Sequence, residues 1–441
     1  DAYNVAVGHA AGENVTTGVD NTIVGGLAGD ALTTGEGSVA IGKSALSATT
    51  VGHDNVAIGK ETLASNVLGS SSIAIGSLAL QDQAPTGTGN TYNIAIGHHA
   101  GKEVTTAVNN TLVGGLAGDA ITSGHSSTAL GYAALSTEDT SSHNTAIGYA
   151  AMASGQNAAK NVAVGNNTLT SMQPASNTDT YNVAVGYNAG LSVTTGVQNT
   201  IIGGLAGDAL TTGSDNIAIG YQALSFEDTG SKNIAIGKAA LASQNYNGDA
   251  YNVAIGHLAG NQINTGTLNT IMGGLAGSAL TTGEKNIAIG HNALATEDTG
   301  GRSIAIGHGA LRYQNNDASN YNTAIGYDAG TNITTGVQNT IIGGLAGDAL
   351  TTGQQNVLLG YFAGGGLVEG NFNTAIGTQA LSVENAHSGN TAIGYQTLKV
   401  QDAGADAYNT AVGHQAGLAV TTGIANTLVG GLAGDALTTG V

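Results

Sequence analysis

Histidine and tyrosine are the residues of this sequence best suited to chemistry, and they recur at one place. They follow the glycine of a short phrase, Asn/Ser-x-apolar-apolar-Gly. With the Asn or Ser counted as position 0, position 5 holds His9, His98, His257, His291, His308 and His414, and also Tyr132, Tyr149, Tyr187, Tyr221, Tyr327, Tyr361 and Tyr395. If consecutive phrases stack as neighbouring strands, His291 and His308 stand about 5 Å apart, close enough to share a metal ion. The same position also accepts Lys43, Lys60, Lys238, Gly26, Gly115 and Thr378. A column that tolerates lysine, glycine and tyrosine reads as a partly exposed ladder of stacked rings, so no metal and no cofactor is expected.

A second column lies at position 9 of the Gly-Gly phrases: Asp30, Asp119, Asp208, Asp348 and Asp435, with Ser278 in the sixth. These carboxylates could ligate Ca²⁺ or supply half of an acid/base pair. Gly-Asp and Gly-Ser are also what a tight turn takes, the short side chain bonding to nearby backbone amides, and serine in place of aspartate favours the turn. Hydrolysis of a polysaccharide would need a carboxylate pair or basic groups in an aromatic-walled groove. The sequence has two arginines (Arg302 and Arg312), no Trp and widely spread acids, and only Phe226, Phe362 and Phe372 break the pattern locally. No enzymatic activity is expected. Thr-Thr-Gly recurs, as at Thr16-Thr17 and Thr194-Thr195, which raises an ice-binding β-solenoid as a third reading. Adjacent threonines point to opposite faces, however, and the corresponding stretch elsewhere is Ser171-Met172-Gln173.

The elements that carry these columns are short and repeated. The phrase begins at 25 places from Asn4 to Asn426; of the 24 spacings 19 are 17 residues, three are 19 and two are 21. Extra residues always fall just before a Tyr-Asn pair, at Tyr92, Tyr181, Tyr251, Tyr321 and Tyr408, so they belong at one corner of the structure, where a loop bulges without disturbing a stack. Positions 1 to 3 are β-branched or small apolar residues, position 4 is Gly, positions 7 and 8 are usually Ala-Leu or Ala-Gly, and the rest is polar. That composition excludes helix and predicts one coil of a parallel β-solenoid, or β-roll, of about 25 coils with a 17-residue period. At about 4.8 Å per coil the rod would be roughly 120 Å long. The Asn that heads most coils is expected to form a buried ladder, its amides bonding to one another and to the backbone.

In Asn55-Val56-Ala57-Ile58-Gly59 both parities of the strand are apolar, and nearly every coil repeats this. One face fills the coil's interior; the other needs a partner, most simply the same strand of symmetry-related chains, which predicts a homotrimer. Ile23, Leu112, Ile201, Ile271, Ile341 and Leu428 at position 2 argue against an idle solvent-facing column of small residues. Larger blocks also repeat, at 3–91, 92–180, 181–250, 251–320, 321–407 and 408–441, within one continuous solenoid segment spanning 1–441. Block duplication accounts for them without a site in any one block. The ends fall within repeats, and the segment is expected to be part of a longer chain.

Composition narrows the function. The 441 residues include 71 Gly, 2 Pro and no Cys, with 10 basic against 29 acidic side chains for a formal net charge of -19. Nucleic-acid binding, which needs clustered Lys and Arg, is not expected. No apolar run approaches the ~20 residues of a membrane span. Absence of Cys removes disulfide frameworks and thiolate zinc sites.

Phrases such as Asn390-Thr391-Ala392-Ile393-Gly394-Tyr395-Gln396-Thr397-Leu398 and Asn216-Ile217-Ala218-Ile219-Gly220-Tyr221-Gln222-Ala223-Leu224 resemble the head repeats of trimeric autotransporter adhesins. They resemble still more closely the repeat arrays of phage tail fibres, notably of marine and cyanobacterial phages. The resemblance covers the whole chain and implies a left-handed parallel β-roll in a tight trimer. Adhesin heads typically run at about fourteen residues per coil, so the period here departs from that family by a longer polar turn. What the resemblance implies is an extracellular tail-fibre shaft that gives reach and display for host attachment. Its partners would be other fibre or tail proteins at its ends, with host glycan met through a tip outside this segment. The alternative is a stalk or head on a bacterial surface.

Overall fold

The computed structural model describes residues 3–440 and divides into two units, Asp1–Tyr221 and Gln222–Val441. Each unit is a parallel β-solenoid with the period read from the sequence, and no helix occurs among the described residues. A coil contributes one three-residue strand, such as Val56–Ile58 in the first unit or Ile287–Ile289 in the second. Strands pair in parallel with identical positions opposite one another, Val39 with Val56 and Ala40 with Ala57, Ala288 with Ala305. The insertions leave this register intact: Ile73 still faces Ile94 and Ile234 faces Val253. The inserted residues stay tied to the preceding coil through bridges such as Ser70 to Asn90 and Gly301 to Ser319.

The second apolar run is not a strand. Positions 6 and 8 lie in the left-handed region, as at Glu61 and Leu63. The run therefore turns tightly, with φ 54° at Glu61 and 47° at Leu63, while its amides bond alternately to the coils on either side, Glu61 N to Lys43 O at 2.9 Å and Leu63 N to Ala79 O at 3.1 Å. A left-handed leucine costs about 1–2 kcal/mol. Complete burial of its side chain offsets that by roughly 1.5–3 kcal/mol, and Leu63 is 0% exposed.

Position 0 closes each coil. Asn55 is buried; its Nδ2 donates to Gly69 O at 2.8 Å, 14 residues on, and its Oδ1 accepts from Ser72 N of the next coil at 3.0 Å. Amide-to-amide bonds also form, as from Asn356 Nδ2 to Asn339 Oδ1 at 3.0 Å. The expected asparagine ladder is thus present, and each member ties its own coil shut as well as joining the next.

The interior is narrow, and its volume is shared between positions 2 and 8. The commonest pairing, found in 11 of the 25 coils, puts Ala at position 2 and Leu at position 8. The Gly-Gly coils reverse this with Ile23 and Gly29 or Ile201 and Gly207, and the Ile side chain fills the space that Leu would take. At Gly207 an added Cβ would stand 3.5 Å from Ile201 Cδ1, and at Gly190 of the preceding coil 3.0 Å from the same atom. Positions 2 and 8 together never carry more than one large group per coil, as close packing of a shared space requires.

Candidate functional site

Position 4 is Gly in every coil, with φ between 123 and 143°. At Gly203 a Cβ would fall 2.6 Å from Gly220 O of the next coil, so the backbones approach too closely there for any side chain. The chain then turns outward, and all thirteen His and Tyr residues of position 5 are exposed. Where rings occupy consecutive coils they stack: Tyr132 on Tyr149 with centroids 5.7 Å apart, His291 on His308 at 5.5 Å, His308 on Tyr327 at 5.2 Å and Tyr395 on His414 at 5.2 Å. The ring faces cover one another and the edges meet solvent. None of these histidines belongs to a group of three possible metal ligands among the described residues.

The ladder has regular gaps. Gly204 sits between Tyr187 and Tyr221, yet its backbone does not demand glycine: an added Cβ would meet Tyr221 Cδ2 at 3.6 Å, an ordinary contact. Gly26, Gly115, Gly274 and Gly344 are similarly unforced, with no neighbour nearer than 3.4 Å.

Beside the ladder runs an apolar face. Within each strand the middle residue points inward and its neighbours outward, so Ala57 is buried while Val56 and Ile58 are half-buried. Position 3 is Val, Ile, Leu or Met in all 25 coils, and positions 1 to 3 never carry a charge. Leu130 is 46% exposed and Met272 38%.

The position 9 aspartates lie in turns, as the sequence suggests. Asp30, Asp119, Asp208 and Asp348 are half-buried, and Asp435 is exposed. Burial raises the carboxyl pKa of Asp119, Asp208 and Asp348, partly opposed by hydrogen bonds from backbone amides. In the first four, Oδ1 is shielded from solvent and has no hydrogen-bond partner. They lie in separate blocks and form no carboxylate pair. The threonines at position 12 turn their hydroxyls into the stack, Thr33 Oγ1 donating to Thr50 O at 3.0 Å and Thr351 Oγ1 to Val368 O at 2.9 Å.

The sequence reading missed a set of buried acids. Glu138, Glu227, Glu297 and Glu384 are each 0% exposed and all fall at position 11, an interior column that elsewhere takes residues such as Leu32, Val104 and Met172. Desolvation raises the pKa of all four. Glu297 is fully partnered, with Oε1 accepting from Gly300 N at 2.8 Å and Oε2 from Gln314 Nε2 and Asn320 Nδ2, both at 2.9 Å. Counting positions within the period, rather than along the chain, is the signal that aligns these glutamates.

At three block boundaries, those at Tyr181, Tyr251 and Tyr321, a cation from the preceding coil meets the opening tyrosine. Lys160 pairs with Asp179 at 2.6 Å and lies over the Tyr181 ring, and Lys232 repeats this with Asp249 and Tyr251. A concavity at the first insertion is lined by Pro85, Thr86, Asn90, Thr91, Thr106 and Val108; none of its side chains ionises. No helix among the described residues is long and apolar enough to cross a membrane. No protein-family model matches the sequence, and no curated protein matches it significantly.

Proposed function

We propose that this chain is the shaft of an extracellular attachment fibre, most closely of the phage tail-fibre kind, in which three copies pack their strand faces about a common axis. The observation that carries the reading is the outward column at position 3, apolar in every coil. A sheet face with no charged residue, left in water along its whole length, would be an aggregation liability. A second copy of the same chain is the partner that matches it, because its rows repeat at the same strand spacing and stay in step coil after coil. The work of such a shaft is mechanical: it holds a binding tip away from the particle or cell that bears it. The resemblance of the repeated phrases to tail-fibre arrays supports the phage setting over a bacterial surface.

The deciding experiment is solution mass by light scattering. Three times the 43.1 kDa chain mass is expected, and a monomer at micromolar concentration would overturn the trimeric shaft. Tail-assembly genes beside the gene for this chain would support the phage fibre, whereas a membrane β-barrel anchor on the full chain would place it on a bacterial surface.

A further inference from the structure

All four buried glutamates accept a backbone amide from three residues on, and the last of them has an imidazole and a second carboxylate beside it as well. Glu138, Glu227 and Glu297 each accept from the backbone amide three residues on: Ser141 N at 3.0 Å, Gly230 N at 2.6 Å and Gly300 N at 2.8 Å. At Glu384 the residue three on is His387, and its imidazole Nδ1 turns into the carboxylate and bonds to Oε1. Asp402 of the following coil brings Oδ1 to 3.5 Å from the same nitrogen. One possible ligand atom from each of the three lies within 4.8 Å of the other two, the sole such group among the described residues. Glu384 is 0% exposed, and its Oε2 is shielded from solvent without a hydrogen-bond partner. Glu138 Oε2 is orphaned in the same way, but only Glu384 has an imidazole and a second carboxylate beside it, and a single imidazole proton cannot serve both carboxylates and the orphan oxygen.

We propose that Glu384, His387 and Asp402 form a binding site for a divalent transition-metal ion, with Zn²⁺ as the cation that fits best. One imidazole nitrogen and two carboxylates are ligands of the borderline kind that zinc accepts, and three protein ligands leave a fourth position for water. Asp402 is 55% exposed and gives that position access to solvent. Two carboxylates balance the charge of the cation, so the buried Glu384 is ionised without an uncompensated charge in the interior. The ligands come from two consecutive coils, either side of the junction at Asn390, so the ion would staple them together just before the insertion that precedes Tyr408.

The test is calorimetric titration of the metal-free protein with Zn²⁺. One saturable equivalent per chain is expected, lost in His387→Ala and in the isosteric Glu384→Gln and weakened at least tenfold in Asp402→Asn, whose exposed side chain gives no reason for misfolding. Co²⁺ in place of Zn²⁺ should give visible absorption bands that vanish in the same variants. Exposed histidine pairs can also take zinc, so His291→Ala/His308→Ala and His98→Ala/His99→Ala serve as controls and should retain the equivalent. Absence of saturable binding, binding undiminished in both Asp402→Asn and Glu384→Gln, loss of the equivalent in the ladder controls, or preference for Ca²⁺ over Zn²⁺ would each overturn the assignment.

Discussion

Neighbouring residues of the same type can answer to different constraints, as Gly203 and Gly204 show. Gly203 has φ 134° and its missing Cβ would collide with Gly220 O, whereas Gly204 has neither constraint. Gly203→Ala should therefore cost at least 1–3 kcal/mol, while Gly204→Ala should fall within about 0.5 kcal/mol of wild type; thermal melts of the two variants check this. Gly204→Tyr should fold as well, with its ring filling the gap between Tyr187 and Tyr221. The buried glutamates make a pH prediction. Because burial raises the folded pKa of Glu138 above the unfolded value of about 4.3, the folded state holds the proton more tightly. Stability linked to this group is full below the unfolded pKa and declines as pH rises through the folded one. Melting temperature should thus rise on acidification from neutral pH towards that unfolded value. The rise should be smaller in Glu138→Gln, and an unchanged pH profile would refute the linkage.

The coil is the scale at which volume is balanced. Ile201→Ala empties the space above Gly207 and Gly190 and should destabilise by about 2–5 kcal/mol. Gly207 sits at φ 49° and Leu224, at the same position of the next coil, at 54°, so leucine is compatible with that backbone. Ile201→Ala/Gly207→Leu recreates the commoner pairing of Ala at position 2 with Leu at position 8 and should recover most of the loss. A double-mutant cycle by denaturant unfolding measures the coupling; additive effects would show that the two positions do not share one space. Much of the coil was legible: the strand, the obligatory glycine, the asparagine ladder and the corner that takes insertions all follow from period and residue type. The second run was less so, because left-handed Leu63 or Glu61 looks like any other apolar or polar residue in sequence. Only the closure of a 17-residue coil forces those dihedrals.

For the whole molecule, the outward apolar columns and the charge of -19 per chain pull in opposite directions. Repulsion between chains is screened by salt, while apolar contact is not weakened by it, so the proposed trimer should persist or tighten from low salt to seawater-like ionic strength. Ile219→Lys combined with Ile289→Lys should lower the solution mass while leaving the β circular dichroism signal intact, since both side chains point away from the interior. Sequence alone determined the solenoid, its period, its register through the insertions and the exposed ring ladder, because repetition turns each residue preference into a column 25 coils long. It also marked the strand as apolar on both parities. Only the tertiary structure decided which parity faces inward, because alanine and isoleucine are both apolar and the choice depends on a coil too narrow to take a large side chain at both position 2 and position 8. The same narrowness drew four scattered glutamates into one interior column and brought His387 and Asp402 to the last of them. The contact between His387 and Asp402, fifteen residues apart, exists only once the coil has closed.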